Sequence, residues 1–255
     1  MKLKSLIGGT SIGSLGGLIG LGGAEFRLPF LVGVLKIDTL HAVMLNIIIS
    51  LVTVLFALLF RGVDESLFSN GYIVVNLLSG TLIGAWIGAN YATKVDKQKL
   101  NSYIFILLVF LSFVLFSHIF FDFSSSFVLP TFLQIGFGFL LGIGIGIISS
   151  LLGVAGGELL IPTIVLLYGV DIKIAGTLSL TISFPTLLVG LYRYNKTGRL
   201  REVFGFRDVI VFMAIGSIIG AFLGALLFGI VSAVYIEVLL GVILLISAYK
   251  LFRKR

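Results

Sequence analysis

Six apolar stretches, near residues 40–60, 70–92, 100–121, 172–192, 207–229 and 233–252, dominate the chain. Each approaches or exceeds the roughly 20 residues of α-helix needed to cross a hydrocarbon core of about 30 Å. In lipid every backbone N–H and C=O must find a partner inside the segment or in a closed barrel, so these stretches are read as helices. Charged residues make up 11% of the chain against 58% hydrophobic, and the mean hydropathy is +1.20; a soluble domain carries about 25% charged residues. The short polar loops leave no room for a soluble domain. The opening Met1-Lys2-Leu3-Lys4 before an apolar run resembles a secretory leader, but no small-residue cleavage site leads into a soluble chain. It is read as an uncleaved first membrane element.

Two further regions, 5–35 and 130–169, are apolar but interrupted by glycine, a charged residue and proline, and each is expected to form two shorter pieces. Laid together they repeat. Gly20-Leu21-Gly22-Gly23-Ala24-Glu25-Phe26-Arg27-Leu28-Pro29 matches Gly153-Val154-Ala155-Gly156-Gly157-Glu158-Leu159-Leu160-Ile161-Pro162 at an offset of 133 residues. The same offset pairs Asp38 with Asp171, Ala42 with Ala175 and Ser50 with Ser183. Further on, Gly80, Gly84 and Gly88 match Gly216, Gly220 and Gly224 at an offset of 136, which a three-residue loop insertion explains. Two membrane repeats are expected, over 1–128 and 129–255, forming one integral domain.

Lysine and arginine fix the orientation, because they concentrate on the cytoplasmic side of short loops. If each interrupted region leaves on the side it entered, 15 basic residues lie inside and only Arg61 and Lys173 outside, with Arg27 in the break; if each crosses once, the split worsens to 12 against 5. The first arrangement makes the two repeats inverted and puts both termini in the cytoplasm. It accommodates a re-entrant hairpin and a pair of full crossings equally. The fold expected is therefore an all-α polytopic membrane protein with an inverted repeat, each repeat opened by a broken or re-entrant helix. Inverted repeats around broken helices are typical of secondary transporters.

The breaks are where chemistry is expected. Gly22, Gly23, Gly156 and Gly157 permit unusual dihedrals and close approach to the backbone. The restarting half-helices, with Pro29 and Pro162 near their first turns, would aim free N–H groups and a positive dipole end at an anion. Arg27 is expected either to hold an anion or to pair internally with Glu25. Glu25 and Glu158 either cap half-helix amides or carry a coupling proton. In the following helices Asn46, Thr177 and Ser179 can donate hydrogen bonds to an oxyanion, against the commoner use of such groups in packing. The two Gly-x3-Gly-x3-Gly rows are read as packing seams.

The composition excludes other chemistries. With no cysteine and two histidines, His41 and His118, near span ends, neither a metal site nor a catalytic site is expected, and no cofactor is implied. No G-x4-G-K-[ST] sequence is present to hold a nucleotide. The +7 formal charge lies in loops and serves orientation, so nucleic acid is not a partner.

The doubled motif resembles that of the sulfite exporter TauE/SafE family, whose signature is G-x-G-G-G-x4-P followed by a small-residue G-[TS]-x-[SA] start to the next helix. The first copy reads Gly20-Leu21-Gly22-Gly23-Ala24 then Pro29, and the second Gly153-Val154-Ala155-Gly156-Gly157 then Pro162. Each glycine triplet carries one alanine. The second copy continues as Gly176-Thr177-Leu178-Ser179, where the first has Val43-Met44-Leu45-Asn46. The resemblance spans both repeats. It implies a transporter in a prokaryotic plasma membrane, exporting sulfite, sulfonates or related anions, with the lipid bilayer and a coupling proton or other ion as partners. A small-anion channel and a non-transporting membrane scaffold are the alternatives.

Overall fold

The computed structural model describes residues 1–62, 65–91, 109, 112, 113, 130–196 and 200–253. The elements are α1 (Lys2–Ile19), α2 (Ala24–Gly33), α3 (Thr39–Arg61), α4 (Glu65–Ser69), α5 (Gly71–Tyr91), α6 (Thr131–Leu152), α7 (Gly157–Tyr168), α8 (Ile172–Lys196), α9 (Leu200–Val203), a 3₁₀ turn (Phe204–Phe206), α10 (Arg207–Ile230) and α11 (Ala233–Arg253). No strand occurs among the described residues. Among the described residues, five helical stretches are long and apolar enough to cross a membrane: His41–Arg61, Gly71–Gly88, Thr131–Leu151, Ile172–Lys196 and Phe204–Ile230. The stretch expected over 100–121 lies almost wholly outside the described residues.

The interrupted regions are hairpins with unequal arms. Each first arm is a long helix, not the short piece expected: α1 has 18 residues and α6 has 22. Glycine-rich α6 stays helical through Gly136, Gly138, Gly142, Gly144 and Gly146 because in lipid any other conformation would strand backbone polar groups. Each arm then stops on a left-handed glycine, Gly20 (φ 99°) or Gly153 (φ 65°), whose N–H bonds back to Gly16 O or Ser149 O. The short arms, 10 and 12 residues, reach only about half the core thickness at 1.5 Å per residue. They run back along the first arms. A Cβ on Gly23 would lie 2.8 Å from the Ile12 side chain, and one on Gly8 2.5 Å from the Phe30 ring. In the second copy a Cβ on Gly156 would lie 3.3 Å from Ile145, and Gly138 faces the Tyr168 hydroxyl.

The glycine rows are packing seams, as expected, but they join the first helix of one half to a late helix of the other. Along α1, Gly9, Gly13 and Gly17 lie against the backbone of Met213, Ser217 and Ala221 in α10, while Gly216, Gly220 and Gly224 lie against α1. In the same way Gly80, Gly84 and Gly88 of α5 face Phe139, Ile143 and Ile147 of α6, and Gly142 and Gly146 face back towards Leu77 and Thr81. Only glycine allows backbones this close, and the gain is dispersion and weak Cα–H···O contact where lipid supplies no hydrophobic drive. Residue numbers rise together across both seams, so α1 runs parallel to α10 and α5 to α6. Arg61 at the end of α3 reaches Gly17 and Leu18 at the end of α1, so α3 shares the direction of α1. Thr81 with Thr186, and Trp86 with Tyr192, set α8 parallel to α5.

Candidate functional site at the apposed breaks

The two hairpin tips meet. A Cβ on Gly157 would lie 2.7 Å from the Leu21 Cα, and one on Gly22 would lie 3.1 Å from Ala155. Both short arms start from a left-handed glycine, Gly23 (φ 72°) and Gly156 (φ 80°), which has no side chain to cap the first amides. The amide-rich ends of α2 and α7 are thus brought together with a glutamate in each first turn, Glu25 and Glu158. The two carboxylates are close enough to act on one another through charge. Both oxygens of Glu25 are shut off from solvent and have no hydrogen-bond partner in the geometry of the site, although the backbone amides of Glu25 and Glu158 act on them.

Arg27 is completely buried. It lies on the second position after Glu25, turned about 200° around the helix, and is held by neutral oxygens: Nη1 donates to Ser50 Oγ at 2.7 Å and Asn46 Oδ1 at 3.4 Å, Nη2 to Thr53 Oγ1 at 2.8 Å and Gly22 O at 3.3 Å. Its Nε has no partner. Glu25 acts on Arg27 through its charge but makes no hydrogen bond to it. The guanidinium thus brings a full positive charge into the interior with dipoles around it and one donor uncommitted.

Asn46 fastens the tips together. Its Nδ2 donates to Ala24 O at 3.0 Å in the first break and to Gly153 O at 2.9 Å in the second. Ser179, its counterpart at the 133 offset, is equally buried, and its hydroxyl has no partner. The copies diverge at Arg27 too, whose counterpart is Leu160. Where Arg27 binds Gly22 O, Ser183 Oγ binds the matching Ala155 O at 2.8 Å. Gly22, Gly23, Glu25, Arg27, Asn46, Gly156, Gly157 and Glu158 therefore belong to or adjoin one locus, and Ser179 lies one helical turn along α8 from Ser183, which bonds Ala155 O. Thr177 stands apart, near the end of α1, where its hydroxyl accepts from Arg61 Nη1 at 3.2 Å.

Arg61, Ser50 and Thr53 were not among the expected site residues. Arg61 Nε and Nη2 donate to Gly17 O at 3.0 and 2.8 Å, Nη2 also to Leu18 O at 2.7 Å, and the guanidinium stacks 4.1 Å over the Phe228 ring. It caps the carbonyl end of α1, where a cation opposes the dipole. The signal was an arginine closing a 23-residue apolar helix. Its counterpart is Tyr194, whose hydroxyl donates to Ser150 O at 3.4 Å, the carbonyl matching Gly17. Ser50 and Thr53 were visible as offset pairs of Ser183 and Thr186, with nothing in the spacing to mark them as holders of a guanidinium.

Comparison with known proteins gives the family of the chain. A family model described as sulfite exporter TauE/SafE matches residues 1–115 and 138–255, including both breaks and both seams. No curated protein and no solved structure gives a match. With apolar helices of membrane-spanning length, two apposed hairpin tips and a family match along nearly its whole length, this chain is an integral membrane transport protein that belongs to the sulfite exporter TauE/SafE family.

Proposed function

We propose that the protein is a secondary carrier that exports a small anion, a sulfur oxyanion such as sulfite or an organosulfonate, by exposing the apposed hairpin tips alternately to the two sides of a prokaryotic plasma membrane. The observation that carries this reading is the meeting of two helix starts beside a buried guanidinium: amide ends and a fixed positive charge in one dehydrated place suit an oxyanion. Gly22, Gly23, Gly156 and Gly157 would admit the anion to the backbone, Arg27 would supply charge through its uncommitted Nε, and Ser179 a free hydroxyl. Asn46 would hold the tips in register, and Thr177 would act from the Arg61 end. Purified protein in liposomes is expected to carry sulfite or a sulfonate down its gradient, read as flux of labelled anion; absence of flux for every anion tried would reject the reading.

Alternating access calls for inverted repeats, with both termini cytoplasmic. Arg61 at the end of α3 meets Thr177 near the start of α8, so α3 and α8, and with them α1 and α6, run in opposite directions. This supports the inversion, as does the position of Arg61 and Lys173 together over Phe228, at 4.1 and 5.4 Å, away from the end that holds Lys2, Arg193 and Lys196. Single cysteines placed at Lys36 and Lys173 in this cysteine-free chain are expected to label from opposite faces of the membrane, Lys36 from the cytoplasm. Labelling of both from one face would reject the inversion.

A further inference from the structure

Glu25 and Glu158 occupy the very helix ends that an anion would use, and this fixes what else must move. Each carboxylate sits in the first turn of a short arm, and the tips abut through Leu21, Gly22, Ala155 and Gly157. Glu25 has both oxygens buried and unpartnered. The charged groups acting on it are Glu158 from the opposing helix and Arg27 from its own. The neighbouring face of α3 supplies neutral groups, Asn46, Ser50 and Thr53, and these are engaged with Arg27. Two carboxylates facing each other in a medium of low dielectric repel strongly when both are ionised, and an arriving anion adds a third negative charge to the same spot.

Resting on the reading of the tips as an anion site, we propose that the Glu25–Glu158 pair is a proton-binding site, and that a proton is taken up with each anion as its co-substrate. With the pair ionised, its charges fill the amide ends and repel the anion. With a proton on the pair, the ends are less filled, and a carboxylic O–H becomes a donor that an oxyanion can accept from. No covalent bond to the anion forms or breaks; one proton passes from water to a carboxylate oxygen and leaves with the anion on the other side. The proton belongs to the pair, since strongly interacting carboxylates titrate together.

The test is equilibrium binding of sulfite and of methanesulfonate, which carries no proton of its own near neutral pH, to the purified full-length protein across pH, alongside proton uptake in weakly buffered solution. Because protonation favours the anion, the dissociation constant for methanesulfonate is expected to rise about tenfold per pH unit above the titration of the pair. About one proton should be taken up per anion bound in that range. Glu25→Gln, neutral at every pH, should flatten the dependence, and Glu158→Gln provides the same readout should the first variant fail to fold. Binding that ignores pH, a variant that keeps the wild-type slope, or affinity that follows sodium at fixed pH would each overturn the proton site while leaving the anion site standing. Failure of both anions to bind at any pH would overturn the anion site and this inference with it.

Discussion

Replacing Gly220 by leucine is expected to leave no transport-competent protein, whereas the same change at Gly229, further along the same helix and off the seam, is expected to be tolerated. A Cβ at 220 would strike the Thr10 carbonyl oxygen and come within 2.7 Å of the Ser14 nitrogen and 2.9 Å of the Gly13 carbonyl carbon. These are backbone atoms, which cannot rotate away. The helices would have to separate along the whole seam, losing the close contacts at Gly9, Gly13, Gly17, Gly216 and Gly224 together. Overpacking a tight interior costs about 1–3 kcal/mol even where side chains can adjust, so a loss beyond about 3 kcal/mol is expected here. At Gly229 nothing lies within 4 Å of the added carbon. Thermal unfolding in detergent, with sulfite flux on the same preparations, checks both; equal stability of the two variants would refute the seam as a structural necessity.

The second large effect is expected at Arg27. Arg27→Leu, which gives the first repeat the residue the second carries at Leu160, should weaken binding of sulfite or sulfonate at least tenfold and reduce flux accordingly. It also leaves Ser50 Oγ, Thr53 Oγ1, Asn46 Oδ1 and Gly22 O without the donor they share. Each orphaned buried acceptor costs about 1–3 kcal/mol, so the unfolding temperature should fall as well. Arg27→Lys separates the two effects: it retains the charge and one cluster of donors but not the planar fork that reaches α3 at several points. It should be more stable than the leucine variant and still bind weakly. Unchanged affinity in a folded Arg27→Leu protein would remove Arg27 from the anion site and leave it as a fastener between α2 and α3.

The hydropathy of the chain settled its class, and the breaks at Gly22-Gly23-Ala24-Glu25 and Gly156-Gly157-Glu158 marked where helices stop inside the protein, because glycine, glutamate and proline inside an apolar run can persist only where protein surrounds them. The doubling of that motif at a fixed offset reappears in paired geometry: Gly20 with Gly153, Gly23 with Gly156, and the Ala42 and Ala175 amides, each bonded at 2.8 Å to Asp38 O and Asp171 O. Whether the breaks were hairpins or double crossings was not legible, since both return the chain to the side it left. The second arms, 10 and 12 residues long and folded back along the first at Ile12 with Gly23 and Ile145 with Gly156, are too short to cross and decide for hairpins. Nor was seam pairing legible: Gly-x3-Gly states that something packs closely without naming it. Arg61 was counted as a loop charge because a terminal arginine that snorkels and one that turns back onto a neighbouring helix have the same local sequence.

The cross-pairing of the seams has a consequence for biosynthesis. Helix α1 presents Gly9, Gly13 and Gly17 to a partner, α10, that is made about two hundred residues later, whereas chains generally fold from the N-terminus as they are made. Until then its small-residue face must be covered by lipid or by the insertion machinery. By contrast α5 and α6 meet soon after both are made, so the middle of the chain can assemble first and α10 closes the structure by capturing α1. Neither half made alone would hold the partners its own glycine rows require, and two separately expressed halves should become stable only when synthesised in the same membrane.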